Sequence, residues 1–280
     1  MLSIRGLTAG DLPAAVGLSR AAGWNQKEAD WQRMIEMEPA GAFLALWSGA
    51  PAGTALACTF GPVAWIAMVL VDDKLRRRGI GAELMRRALA FLDERGVRSV
   101  RLDATPLGRP LYESLGFQAE YSLARHAGVS TAAIEHETPE VEPFRVEFTE
   151  AVFELDRRVT GADRSKFLRR VITERAEDVR LVRGRNGLAG YMATRPGARA
   201  LMLGPCLGDT HAGPLLLADA MRRHAGQKVY IDVPVGRVDA ERLLQEKGLT
   251  AQRNLLRMVR GEPAGEQTAS LWASSGPEKG

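Results

Sequence analysis

Apolar residues return along this chain at two different spacings. Between residues 8 and 22, and again between 27 and 37, Leu12, Ala15 and Val16, then Trp31, Met34 and Ile35, recur at helical intervals, which predicts two helices separated at Gly23. Ala42–Trp47 and Thr54–Thr59 read as strands joined through Ser48-Gly49-Ala50-Pro51, and Gly61-Pro62 turns the chain again. The next segment, Val63–Val71, is apolar at every position and rich in β-branched side chains. Alternation vanishes when neither face of a strand meets water, so this reads as a strand buried on both faces. It is far shorter than the ~20 residues a helix needs to cross a bilayer, and no membrane span is expected. Ile80, Leu84, Met85, Ala88, Leu89 and Leu92 then form one stripe opposite charged residues, predicting a helix over 79–94. A strand over Ser99–Leu102, a short helix over Leu111–Leu115 and a strand over Glu120–Ala124 follow.

This pattern repeats. LDATPLGRPLYESLGF pairs with IDVPVGRVDAERLLQEKGL: in each, a strand ends in Asp (Asp103, Asp232), a Pro-x-Gly-Arg turn follows, and a short helix ends at Gly (Gly116, Gly248). Upstream, FLALWSGAPAGTALACTFGPVAWIAMVLV and VRLVRGRNGLAGYMATRPGARALMLGP share the order strand, Gly turn, strand, turn, apolar strand. Two similar α/β units in tandem account for this. Residues 127–143, enriched in Thr and Glu and holding Pro139 and Pro143, contain the expected linker. The units are therefore placed at 1–128 and 144–260, with 129–143 between them. Residues 261–280, small and polar apart from Trp272, are expected to form a poorly ordered tail.

Composition narrows the classes. The 280 residues suit two domains of ~100 to 150 residues, and 45% apolar with 26% charged content excludes a mostly disordered chain. The N-terminus, MLSIRGLTAGDL, lacks the basic and apolar regions of a secretory signal, so a cytoplasmic location is expected. Cys58 and Cys206 form no Cys-x-x-Cys pair and the histidines are scattered, so no metal site is expected and both thiols read as reduced core residues. A net charge of +4 fits an anionic small ligand and does not argue for nucleic acid.

The strongest chemical signal is VLVDDKLRRRGIGAELM, where a buried strand ends and a helix opens with Gly79 and Gly81. Free N–H groups at a helix start bind phosphate oxygens, and Arg76, Arg77 and Arg78 can add charge-assisted bonds to a pyrophosphate. Neither G-x-G-x-x-G nor G-x-x-x-x-G-K-[ST] is present, which argues against dinucleotide and Walker-type nucleotide sites. The segment resembles the acetyl-CoA motif [QR]-x-x-G-x-[GA] of the GNAT superfamily of N-acetyltransferases, matched by Arg76, Gly79 and Gly81. A second GNAT marker of the type LYExLGF is matched by Leu111–Phe117. The resemblance covers residues 3–126, and 144–260 resemble a second, degenerate GNAT unit of the kind found in bacterial tandem acetyltransferases.

That resemblance implies an α/β fold of two tandem GNAT-like domains, each a mixed, largely antiparallel sheet flanked by helices. It also implies transfer of an acetyl group from acetyl-CoA (coenzyme A) to a primary amine without a covalent enzyme intermediate. The splayed strand at Val69, Leu70 and Val71 would pair with the pantetheine arm, and Arg76 to Ala82, including Ile80, would hold the pyrophosphate. Tyr112 would protonate the departing thiolate. Asp103 either accepts the amine proton through water or caps the turn at Thr105, while Glu83 complements the helix dipole. Trp24, Asn25 and Trp31 would contact the acceptor, although Trp31 equally reads as core and Trp24 as a loop anchor.

The second unit has no Arg and no Gly-x-Gly in CLGDTHAGPLLLAD, and Leu244 stands where Tyr112 stands in the first, so it is not expected to bind the cofactor productively. Asp163-Arg164, Arg195-Pro196, Asp232 and Arg257 either wall an acceptor cleft between the units or form ordinary salt bridges and turns. His126, His211 and His224 read as structural or exposed. The expected acceptor is a small-molecule or protein amine, and the expected assembly a monomer or a homodimer. The rival reading is a non-catalytic acyl-CoA sensor or regulatory module.

Overall fold

The structure is a computed structural model and describes residues 1–131, 139–185 and 187–278. The first unit runs β1 (Leu2–Gly6), α1 (Leu12–Ala21), α2 (Glu28–Met37), β2 (Ala42–Trp47), β3 (Ala50–Phe60), β4 (Val63–Val71), α3 (Ile80–Asp93), β5 (Ser99–Ala104), α4 (Arg109–Ser114) and β6 (Gln118–Val129). The second repeats the order: β7 (Val141–Pro143), α5 (Thr149–Thr160), α6 (Ser165–Arg175), β8 (Val179–Gly184), β9 (Gly187–Arg195), β10 (Leu201–Gly208), α7 (Ala212–Arg223), β11 (Lys228–Pro234), α8 (Val238–Glu246) and β12 (Thr250–Gly261). One further strand, β13 (Leu271–Ala273), follows. The repeated α/β architecture is the one the sequence pattern predicts. Among the described residues no helix is long and apolar enough to cross a membrane.

The two units share a single sheet, in the order β1-β2-β3-β4-β5-β12-β6-β11-β10-β9-β8-β7, with β13 paired to β10. The centre of this order departs from the sequence-based boundaries, because the last strands of the units are exchanged. β12 enters between β5 and β6, and β6 lies against β11, all antiparallel. Two long strands side by side satisfy their backbone groups across the boundary, which a terminal edge strand in each unit would leave open.

The core is shared in the same way. On one face of the sheet, α1 and α2 pack with α5 and α6 in one cluster that includes Trp31, Met34, Phe153 and Phe167. On the other face α3 covers β2 to β5 through Leu84, Met85 and Ala88, and α7 covers the second half through Leu216 and Leu217. Cys58 and Cys206 are buried and not joined in a disulfide.

Two expectations change at the ends of the second unit. β6 continues to Val129, and Val141–Pro143 form an edge strand on β8, so both ends of the predicted 129–143 linker pair in the sheet; its residues 132–138 lie outside the described ones. From Leu271 to Glu278 the expected poorly ordered tail is instead packed, with Trp272, Ser274, Ser275 and Glu278 buried; its residues 279 and 280 lie outside the described ones. Small residues fit where little space is left, which is why a small, polar stretch reads as loose in sequence yet docks tightly here.

A shared sheet and a shared helix core leave no surface at which one half can melt alone. Urea unfolding followed by circular dichroism and by tryptophan fluorescence should therefore give one coincident transition; two separated transitions would contradict the exchanged arrangement.

Candidate active site

β4 and β5 run parallel and pair at Val63, Ala64 and Trp65, then separate. The separation starts where β4 carries an extra residue relative to β3: Leu56 pairs Ala67 and Thr54 pairs Leu70. Met68, in that bulge, has φ +53°, and its carbonyl accepts from Thr54 Oγ1 at 2.7 Å. A bulge bends and re-aims a strand. The backbone of Val69, Leu70 and Val71 consequently faces a gap on the β5 side. That gap opens into a cleft lined by Ile66 to Val69 of β4, Leu102 and Asp103 of β5, Thr105, Tyr112 of α4, Trp24, Gln26, Arg253 and Leu255 of β12, and Pro277 with Glu278.

At the outer end of β4 the chain enters α3. Gly79 caps the helix at φ +79°, a conformation glycine adopts freely, and Arg77 holds φ +60° without that freedom. Residues in this conformation fold successive N–H groups toward one side. The first intrahelical bond is from Glu83 N to Gly79 O, which leaves the N–H groups of Ile80, Gly81 and Ala82 as first-turn donors directed outward. Arg76, Arg77 and Arg78 are exposed around them; Arg76 pairs with Asp73, and Arg78 lies over the Trp47 ring at 5.5 Å. A Cβ on Gly81 would sit 3.5 Å from Leu111 and 3.6 Å from Val71, so the helix start, the end of β4 and α4 converge there. Glu83 pairs with Arg86 and is spent on the helix surface.

Tyr112 faces the cleft from α4 with its ring packed on Gly108, where a Cβ would come within 2.8 Å, and edge-on to Phe117. Burial pushes its phenol up to about 12. Its hydroxyl has no hydrogen-bond partner among the described residues and stays a donor at any ordinary pH.

Residues 15–117 match the acetyltransferase (GNAT) family and residues 152–273 the acetyltransferase (GNAT) domain. The chain belongs to the GNAT acetyltransferase family. Its fold is similar to that of a provisionally assigned acetyltransferase from Pyrococcus horikoshii (TM-score 0.84, 24% identity, covering 100% of this chain and 96% of that one). It is also similar to a tandem GNAT protein from the clavulanic acid biosynthesis pathway (TM-score 0.63, 16% identity, 94% and 99%). Among curated proteins, the uncharacterized N-acetyltransferase YitH of Bacillus subtilis (strain 168) is 29% identical over 153 residues, 53% of this chain and about half (52%) of that relative.

Several residues expected at the acceptor side of this GNAT site lie elsewhere. Trp31 is fully buried in the shared core, with its indole N–H on Ser19. Asn25 spans the units: its amide donates to Ala200 O at 3.0 Å and its oxygen accepts from Arg199 N and Ala200 N. Asp163 caps the start of α6 through Ser165 N, and Arg164 is buried against Asp156. Trp24 alone of the three predicted acceptor residues lines the cleft.

Asp103 lines the cleft but its side chain is fully buried, and both its oxygens accept from Arg257, at 2.9 and 3.0 Å. Asp232 is held identically by Arg125, at 2.7 Å to each oxygen. These pairs are equivalent by the repeat, and each joins an Asp of one unit to an Arg of the other. Arg125 was missed in sequence; it lies nine residues past Gly116, as Arg257 lies nine past Gly248, so extending the repeat through the last strands exposes it. Beneath the first pair, Glu266 receives Arg101 at 2.7 Å, Tyr121 at 2.5 Å and Arg257 at 3.2 Å. Gln26, Arg253, Pro277 and Glu278 are lining residues that no motif marked.

The second GNAT unit has the same geometry with a different filling. β10 and β11 pair in parallel from Leu201 to Leu203, and β10 then bulges between Leu203 and Cys206. Here the gap is closed by the chain itself: β13 pairs with Cys206 and Leu207, and Ser274 N donates to Asp232 O. Trp272 packs on Gly213, the second residue of α7 as Gly81 is of α3; a Cβ there would lie 2.0 Å from the indole. The Arg237 guanidinium lies over the Trp272 ring, 3.7 Å from its centroid, and the indole N–H donates to Gly208 O. Leu244 is fully buried in this unit's core. The segment then crosses to the first unit, where Trp65 donates to Pro277 O, and Glu278 pairs with Arg195 and receives Gln26.

Burial pushes the Glu266 carboxyl up, but Arg257, Arg101 and Tyr121 outweigh it and hold it at about 2. A carboxylate depressed in the folded state stabilises above its unfolded value near 4.5, and that contribution disappears as pH falls toward about 2. Glu266→Gln should cost roughly 3 kcal/mol at pH 7 because it breaks a buried charge cluster. In urea titrations at a series of pH values the gap to the parent protein should close below pH 4.5; a gap constant down to pH 2 would rule out the ionic origin.

Proposed function

We propose that the first unit is an acetyl-CoA-dependent N-acetyltransferase acting on a primary amine, and that the second unit is a scaffold. The observation that carries this is the gap beside Val69 to Val71: it opens into the cleft that Val69 and Tyr112 line, and the helix start meets the end of β4 at Gly81 and Val71. The second unit supplies an internal comparison. There the equivalent stretch of β10 pairs with an extended segment, β13, so this strand edge is suited to an extended partner.

The residues fit coenzyme A. The N–H groups of Ile80, Gly81 and Ala82, with Arg76 to Arg78, would hold its pyrophosphate, and Val69 to Val71 would hold the pantetheine amides. When bound, the group supplies an activated acyl thioester. Val69 offers its backbone N–H, just past the bulge, as a donor to a developing oxyanion. Tyr112 Oη presents a proton toward the sulfur end of the gap. With a value of about 12, that phenol is a weaker acid than a thiol in water, whose reference is ~8.5. Its role is therefore hydrogen-bond donation to a leaving sulfur whose own basicity is raised by the same burial. Asp103, with both oxygens on Arg257, positions β5 against β12, and the amine proton passes to water.

Isothermal titration with coenzyme A should show one site per chain, since the second groove holds Trp272. Gly81→Glu should fold normally, given the ordinary spacing around its Cβ position, and lose that binding. Two sites, or unchanged affinity in the variant, would discard the cradle. Tyr112→Phe should lower kcat on the order of 100-fold with coenzyme A affinity little changed, measured by thiol release with a panel of amines; a silent substitution removes the donor role.

A further inference from the structure

The acceptor end of the cleft carries three charged side chains, and two are neutralised internally. Asp103 is bound by Arg257, and Glu278 by Arg195. The third, Arg253, makes no hydrogen bond or ion pair among the described residues and remains exposed to the cleft. Its position is unusual for a free cation. β12 carries an extra residue at Gln252, between Ala251 opposite His126 and Arg253 opposite Arg125, and a bulge of this kind turns the following side chain. Arg253 thus stands directly across the strand pair from Arg125, whose own charge is already committed to Asp232. Like charges in that register are unfavourable, and an anion placed between the strands and the cleft relieves the opposition.

Building on the transferase reading, we propose that Arg253 is the specificity-determining residue of the acceptor pocket and that the acceptor is a small primary amine also bearing an oxyanion, carboxylate or phosphate. The planar guanidinium grips such a group through paired N–H bonds. The apolar walls, Ile66 and Leu255 among them, take the carbon skeleton, and the amine then points toward the Tyr112 end. The second unit contributes this residue through its exchanged strand, so the scaffold unit sets acceptor choice for the catalytic one.

The test compares ω-amino acids from glycine to 6-aminohexanoate, 2-aminoethyl phosphate and n-alkylamines of matching length. Thiol release should favour the oxyanion-bearing amines, and the phosphate and carboxylate arms show which oxyanion is preferred. Arg253→Ala should reduce kcat/KM for the preferred class by roughly 10- to 100-fold, leave the alkylamines and coenzyme A affinity unchanged, and be partly rescued by Arg253→Lys. Titration of the same amines into protein saturated with coenzyme A gives a readout without turnover, and the oxyanion-dependent binding should vanish in Arg253→Ala. Thiol release with no preference for oxyanions, or a preference that survives Arg253→Ala, overturns the proposal while the transferase reading stands. No thiol release with any amine, alongside oxyanion binding that Arg253→Ala abolishes, sinks the transferase reading and keeps the anion site.

Discussion

Each half of this protein ends by giving its last long strand to the other. β6 and β12 cross the boundary side by side, and each delivers an arginine to the aspartate at the end of its neighbour's central strand: Arg125 to Asp232, Arg257 to Asp103. Burying four charges has a large desolvation cost, and such pairs add little net stability compared with apolar packing. What they supply is register. A slip by one residue would turn an arginine to the opposite face and leave an aspartate buried without a partner, so only one alignment of the central strands is allowed. The wall of the cleft formed by β5 and β12, with Asp103 and Arg253 on it, inherits that precision.

The exchange also explains how two similar units came to differ in use. Both have a bulged strand that separates from its parallel neighbour. In the first, the opening stays accessible and leads to Tyr112. In the second, β13 lies along the strand edge and Trp272 covers the helix start, while Leu244 fills the place of the phenol. The blocked unit is not idle. Its strand β12 carries Arg253, and the segment that fills its groove continues to Pro277 and Glu278 in the cleft of the first unit.

Much of this was legible in the chain. The all-apolar run Val63–Val71 marks the central strand, Gly79 and Gly81 mark the helix cradle, and the Asp, Pro-x-Gly-Arg, Gly pattern reveals the duplication. Strand exchange was not legible, because an exchanged strand and a retained one have the same alternation; only the matched spacing of Arg125 and Arg257 hints that both serve one purpose. Asn25 read as an acceptor contact because an amide beside two tryptophans suits a ligand, yet the same donors and acceptor fit the backbone of Arg199 and Ala200. The 261–280 segment misled for a related reason: Gly and Ser suit a loop, and they equally suit a groove with no room for larger side chains.

The long reach of the central pairings bears on how the molecule is made. Asp103 and Arg257 are 154 positions apart, and Asp232 lies 107 from Arg125. A nascent chain that has just released β5 and β6 from the ribosome can pair β5 with β4 but lacks the β12 and β11 that flank β6, and must hold an open strand edge until the second half is synthesised. Contacts of such separation slow folding and lengthen exposure to aggregation. The order of synthesis therefore places this protein among those with most to gain from a chaperone that shields the waiting half.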